Sequence, residues 1–302
     1  MKICAPSKID NRIVMIGNIG LPSFLMDAPK PVMFDAGMSI MGSVYADAVE
    51  KILGIRQLDL LCITHSHYDH LGASSFLKHR FEMLRIAGHP LVNNVMKNPR
   101  AVATMKGLSD AIRQFIGDLD QSTEFVPPEI DIVLKEGDIL DLGEGLSVTV
   151  LETPGHTRDS LTYFIESIGA VVPGEALGVV EFDGGIYPEF LTDFNSYVTS
   201  ARKIMAKKPS VILMPHGPSL TQDDAREFLQ GVIPAAFAWR DMISEALHQS
   251  GQDVENATET LFERLYDPSR IGQEKNAFLM NLRAKVSCIV KLEHTSHVVG
   301  PS

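Results

Sequence analysis

The segment Thr64-His65-Ser66-His67-Tyr68-Asp69-His70-Leu71-Gly72 constrains this chain more than any other. It places three imidazoles and a carboxylate within six residues, directly after the apolar run 58–63. A short apolar run of that kind predicts a buried strand, and the small residues from Gly72 to Ser75 lead into a predicted helix over 73–80. The cluster is therefore expected at the carboxyl end of a strand, where open α/β sheets place their ligands. In an extended segment, side chains two apart point to the same side, so His65 and His67 can reach one metal ion together. The turn that follows lets Asp69 and His70 face a second point. Neutral imidazole and carboxylate suit Zn, Fe, Mn or Ni. The competing reading is a chance gathering of solvated histidines.

Composition narrows the setting. The chain has 302 residues, 45% hydrophobic and 22% charged, the proportions of a soluble globular protein with a sizeable core. Its formal net charge of -11 disfavours a nucleic-acid surface, which carries a basic stripe. Cys4, Cys62 and Cys288 are scattered without a C-x-x-C pair, so neither a zinc ribbon nor a disulfide framework is expected. Cys62, inside the apolar run, is expected in the core. The first residues lack a charged region followed by an apolar one, and no run of about 18 apolar residues occurs. A soluble, cytoplasmic protein with no membrane partner is the expectation.

Ahead of the cluster, short apolar runs at 13–16, 23–26 and 31–34 alternate with turn residues, the punctuation of a β-meander. Residues 43–53 predict an amphipathic helix ended by Gly54. After the cluster the patterning predicts a strand near 84–87, a helical region over 90–119 with breaks around Pro99 and Gly107, and strands at 130–134 and 146–151. The last of these leads into Thr153-Pro154-Gly155-His156-Thr157, which repeats the first design: an apolar strand, a tight turn, a histidine. Strands are also expected at 160–165, 169–172 and 211–214, and a helix at 195–207. The second of those strands ends at Pro173-Gly174-Glu175 and the third at Pro215-His216-Gly217. Beyond Pro218 the character changes. Thr221 to Asp224 reads as a helix start, and helical patterning over 226–248, 257–266 and 273–290 predicts an all-helical extension from 220 to 302, packed on the core or forming a lid.

Thr-His-Ser-His-Tyr-Asp-His, then Pro-Gly-His-Thr, Gly-Glu and Pro-His-Gly, in this order and spacing, resembles the metallo-β-lactamase-fold hydrolase superfamily over roughly residues 11 to 219. The helical tail is similar to two of its branches, the glyoxalase II thioesterases and the quinolone-signal response thioesterase. The likeness to the latter is stronger, through Ala176-Leu177-Gly178 and Phe182-Asp183-Gly184-Gly185. The resemblance implies an α/β, four-layer αββα sandwich (two mixed sheets between helical layers) over 1–219, with the helical extension over 220–302. It also implies two divalent metal ions (Zn, Fe or Mn), with His65, His67 and His156 holding the first and Asp69, His70 and His216 the second. Glu175 would bridge them together with a hydroxide. That bridging position is aspartate in most of the family, so Glu175, one methylene longer, is a departure. Because His67 is not glutamate, the cluster looks like the hydrolytic members and unlike the flavodiiron oxygen reductases.

The implied chemistry is attack of the metal-activated hydroxide on an ester-type carbonyl, most readily an acyl thioester. Asp69 would orient the hydroxide and take its proton. Tyr68 and Tyr187 are candidate substrate contacts, each weighed against simple packing, and Phe190 reads as packing. Arg264, Arg270, Lys275, Arg283 and Lys285 could meet an anionic thioester, although solvated helix faces are the blander reading. His79, His89, His248, His294 and His297 fall outside the pattern, with His294 and His297 in a polar tail. The alternatives are a lactone, β-lactam or phosphodiester bond, or a regulatory protein that keeps the metal site and acts through a partner. A small-molecule substrate is expected, with no nucleic acid, and a homodimer is left open.

Overall fold

The computed structural model describes residues 1–116 and 124–298. The elements run β1 (Lys2–Ile3), β2 (Ile13–Gly17), β3 (Pro22–Met26), β4 (Val32–Phe34), α1 (Gly42–Leu53), β5 (Leu60–Cys62), α2 (Tyr68–Leu71), α3 (Ser74–Arg80), β6 (Arg85–Gly88), α4 (Pro90–Met96) and α5 (Pro99–Ile116). There follow β7 (Ile132–Val133), β8 (Ile139–Gly143), β9 (Leu146–Glu152), β10 (Leu161–Ile165), β11 (Ala170–Val172), β12 (Val179–Val180), β13 (Ile186–Tyr187), α6 (Phe194–Ala206), β14 (Val211–Ile212), β15 (Ser219–Thr221), α7 (Gln222–Gln249), α8 (Val254–Leu265) and α9 (Lys275–Val298). By compactness the chain divides into two units interleaved in sequence. One comprises Met1–Glu152, Asp159–Gly174 and Lys208–Ala225; the other comprises Thr153–Arg158, Glu175–Lys207 and the chain from Arg226 onward. A single cut at 219/220 follows the composition; packing groups the segments differently.

The first unit holds two sheets. One has the order β2-β3-β4-β5-β6-β7 and the other β1-β15-β14-β11-β10-β9-β8. In the first sheet β4, β5, β6 and β7 are parallel, while β2-β3-β4 form the expected antiparallel meander. Alternate side chains take opposite faces, and both faces are buried. Phe24, Val32, Phe34, Leu60, Cys62 and Ala87 join Val148, Val150, Leu161 and Tyr163 of the second sheet in one core. Leu25, Met33, Leu61 and Ile86 point the other way, into a core with Tyr45 and Val49 of α1, Leu77 of α3 and Val92 of α4. A strand covered on both faces needs apolar residues at every position, which is why 60–63 is uninterrupted Leu-Leu-Cys-Ile. Cys62 is buried as expected, and burial pushes its thiol well up, with Asp35 adding to the effect.

The second unit is built on a third core. Val179 of β12, Tyr187 of β13 and Phe194, Tyr197 and Val198 of α6 pack there with Trp239 and Ile243 of α7, Leu261 of α8 and Phe278, Leu282, Val286 and Ile289 of α9. The three C-terminal helices overlap the predicted ranges, with α7 starting at Gln222 and α9 running on to Val298.

Several expectations need correction. α5 runs through Gly107 without a break; an isolated glycine weakens a helix by only about 1 kcal/mol, which the rest of the helix outweighs. The part of the prediction at 117–119 lies outside the described residues. Leu220 and Thr221 are not helical: Ser219–Thr221 is a strand paired on both sides, with β14 and β1. The acidic glycine turn after Phe182 is the tip of a hairpin formed by β12 and β13. The polar segment around His294 continues helix α9 beyond the expected end at 290, while the side chain of His297 lies outside the described residues. No described helix is long and apolar enough to cross a membrane.

Candidate metal centre

In the first unit the centre grows out of adjacent parallel strand ends. Phe34 and Cys62 are register partners in β4 and β5, so the residues just beyond them, Asp35 and Thr64, meet. Asp35 takes a left-handed backbone (φ 57°), sparsely populated for a side-chain-bearing residue and frequent where function demands it. Its buried carboxylate accepts three hydrogen bonds: from Thr64 N at 2.7 Å, from the Thr64 hydroxyl at 2.8 Å and from His70 Nδ1 at 2.8 Å. The Thr64 hydroxyl has one proton and spends it on Asp35. Its lone pairs therefore face His65 Nδ1, 3.0 Å away, and His65 donates.

His67 has extended backbone and α2 begins directly after it, which turns Asp69 and His70 back toward the strand end. The turn is held down by Ala36 N donating to His70 O and Gly72 N donating to Gly37 O. A Cβ on Gly72 would run into the Tyr68 and Gly37 carbonyl oxygens and the Ser39 nitrogen, so only glycine permits this approach. His216, after β14, donates from Nδ1 to the Gly20 carbonyl at 2.7 Å. One ligand atom each of Asp69, His70 and His216 lies within 4.8 Å of the others, as do those of His65 and His67. His65 and His70 are buried, whereas His67 and Asp69 are half-buried.

In the second unit the tight turn 153–158 presents His156. Gly155 adopts φ 134°, and a Cβ there would strike the backbone of Tyr197. Thr192 N and the Ser200 hydroxyl donate to the Gly155 and Pro154 carbonyls. His156 is buried and donates from Nδ1 to the Glu189 carbonyl at 2.7 Å. Its Nε2 lies 3.5 Å from Oε2 of the buried Glu175. Glu189 in turn accepts from Lys285 Nζ at 2.7 Å. Burial pushes the Glu189 carboxyl up, and the Lys285 charge opposes that.

A divalent ion fits these donors. A carbonyl oxygen can only accept, so His156 and His216 carry their proton on Nδ1, and His65 and His70 do so by the bonds above. The lone pair of each ring is then on Nε2, the arrangement in which metal-binding histidines are oriented by a hydrogen bond from the other nitrogen. The Asp69 Oδ2–His216 Nε2 separation is 3.5 Å, as is that of His156 and Glu175. That is long for a hydrogen bond. It matches the ~3.4 Å between two donors each ~2.1 Å from one tetrahedral ion.

The structure brings together His65, His67, Asp69, His70 and His216 in one unit and His156 and Glu175 in the other. Tyr68 begins α2 and packs against the core of the first unit. Tyr187 is buried with its ring 5.1 Å from that of Trp239, and Phe190 is fully buried against Phe194, so both are packing residues here. The solvated-face reading does not hold for Lys285, which is 2% exposed; Arg270 and Arg283 pair with Asp183 and Glu255. Sequence reasoning missed Asp35 and Glu189. Asp35 could have been found, since it follows the apolar run 32–34 as Thr64 and His65 follow theirs. Glu189 has no local signal.

The chain belongs to the metallo-β-lactamase superfamily: the profile of that superfamily matches residues 24–216, more than half of it. The fold is accordingly that superfamily's mixed α/β sandwich with a helical C-terminal region. The chain is 30% identical over 131 residues to a hydroxyacylglutathione hydrolase of Rhodopseudomonas palustris, covering 42% of this chain and 38% of that relative, so it spans well under two thirds of that protein. It is 28% identical over 195 residues to a probable metallo-hydrolase of Bacillus subtilis, covering 60% of this chain and 80% of that one. Among solved structures, a metallo-β-lactamase family protein of Thermus thermophilus superposes with a TM-score of 0.64 at 16% identity, covering 100% of this chain and 95% of the other; that likeness is one of fold.

Proposed function

We propose that this hydrolase is a dinuclear metalloenzyme that cleaves acyl thioesters of small molecules in the cytoplasm. His65, His67 and His156 would hold one ion and Asp69, His70 and His216 the other, with Glu175 available to both. The observation that carries this reading is the meeting of Asp69, His70 and His216 within 4.8 Å, with the imidazoles turned so that Nε2 is the open donor. When bound, two divalent ions acidify a water to give a nucleophile near neutral pH and stabilise charge on the carbonyl oxygen and the leaving group. The chain's own residues hold and orient. Asp35 and the Gly20 carbonyl fix the His70 and His216 rings, and the Glu189 carbonyl fixes His156. Asp69, half-buried beside His216, is the carboxylate placed to take a proton from the attacking water. A thiol has a pKa near 8.5 and leaves as thiolate without a strong general acid, which favours a thioester over an ester. The hydroxyacylglutathione hydrolase relatives support the same bond type.

The test is elemental analysis of the purified chain beside a panel of thioesters and lactones. About two Zn, Fe or Mn per chain, with thioester hydrolysis abolished by chelation and by His67→Ala, is the expected result. Full activity in His67→Ala would remove the site assignment, and turnover of lactones alone would remove the thioester.

A further inference from the structure

We propose that the buried ion pair between Glu189 and Lys285 is a positioning device for His156, by which helix α9 sets the orientation of a metal ligand. The proposal rests on the reading of His156 as a ligand. Lys285 is 2% exposed, its Nζ 2.7 Å from Glu189 Oε1 and 4.8 Å from the centre of the Trp239 ring. Burying an ammonium and a carboxylate is unfavourable before they pair, and an apolar pair of equal volume would hold two elements together at least as well. What an apolar pair lacks is direction.

Direction matters at residue 189. The stretch 188–190 belongs to no helix or strand, so no ladder of hydrogen bonds fixes its main chain. Three contacts of Glu189 do so instead. Its carboxylate is tied to Lys285, its N–H donates to the Tyr197 hydroxyl at 3.4 Å, and its carbonyl accepts from His156 Nδ1 at 2.7 Å. The last bond sets the tautomer and tilt of the imidazole whose Nε2 lies 3.5 Å from Glu175. A chain of direct contacts thus runs Trp239, Lys285, Glu189, His156, Glu175, every member in one compact unit. Lys285 is too enclosed to greet a substrate anion, and its charge is already matched.

The test uses the full chain loaded with cobalt(II), whose visible absorption reports ligand geometry. Lys285→Met and Glu189→Gln each roughly keep the volume; the first removes the donor and the second the charge of the carboxylate. Each is expected to bind cobalt roughly 10–100-fold more weakly, the usual effect of losing an outer partner of a metal ligand, and to shift the visible band. The double variant should bind no more weakly than the weaker single one, because both remove the same interaction. Parental cobalt affinity and band in the variants, even with lowered stability to urea, would overturn the proposal and leave the pair purely structural. His156→Ala is measured beside them. If it loosens cobalt and the pair variants do not, the positioning role alone falls. If it changes nothing, or the parent binds no cobalt, the metal reading falls and takes the positioning role with it. Should Lys285→Met fail to fold, Glu189→Gln is judged by the same criteria.

Discussion

One carboxylate, Asp35, shows how much a single residue decides. It accepts from the Thr64 amide, the Thr64 hydroxyl and His70 Nδ1, and through the hydroxyl it also sets the His65 tautomer. An asparagine in its place could offer only one carbonyl oxygen, and its amide would face donors in a buried place. We expect Asp35→Asn to destabilise the fold by about 1–3 kcal/mol, the penalty for a buried donor left unmet. We also expect it to weaken metal binding roughly 10–100-fold. Competition against a chromophoric chelator measures the second effect, and an unchanged affinity would show that the network is not used to orient ligands.

Between elements, Asp131 plays a comparable part, joining β6 and α3. Just ahead of β7, it accepts from Ile86 N of β6 at 2.8 Å and pairs with Lys78 of α3 at 2.5 and 2.6 Å. Partial burial alone would raise its pKa, but the Ile86 hydrogen bond and the Lys78 charge outweigh that and hold the carboxyl below its usual range. A carboxyl whose folded pKa lies below its unfolded value of about 3.9 binds its proton more readily when unfolded. Its stabilisation is therefore fully present above that value and is lost as the pH falls through the folded pKa. Urea midpoints of the parent should exceed those of Asp131→Asn at pH 6, and the gap should narrow below about pH 4. A gap independent of pH would mean the charge on Asp131 is irrelevant to the attachment of α3.

At the scale of the molecule, the candidate ligand residues are spread along the chain from 65 to 216, and each compact unit has its own core. Ions bound to the folded chain and not to the unfolded one add stability by mass action. At free metal near 100 times the dissociation constant that is about 2.7 kcal/mol per site. For domains of this size each kcal/mol moves the midpoint by about 2–4 °C. With two sites, chelation should therefore lower the melting temperature by roughly 10–20 °C, reversed by added zinc. No shift, in protein shown by elemental analysis to have lost its metal, would contradict a role for the ions in holding the fold.

Much of this was legible in the sequence because its signals are local. The apolar run before Thr64 identified a buried strand, and the spacing of His65, His67, Asp69 and His70 marked them as candidate donors. Apolar strand ends at His156, Glu175 and His216 offered the other candidates, and the helical periods beyond 226 marked α7, α8 and α9. What the sequence could not carry were pairings between residues far apart. Lys285 has the look of a surface charge on its helix, and only the packing of α9 against the 188–190 stretch buries it on Glu189. Asp35 lies 29 residues from Thr64 and acquires its role from strand register. Periodicity reports which face of an element is apolar; hydrogen bonds between distant residues depend on how elements meet, and that is decided by tertiary structure.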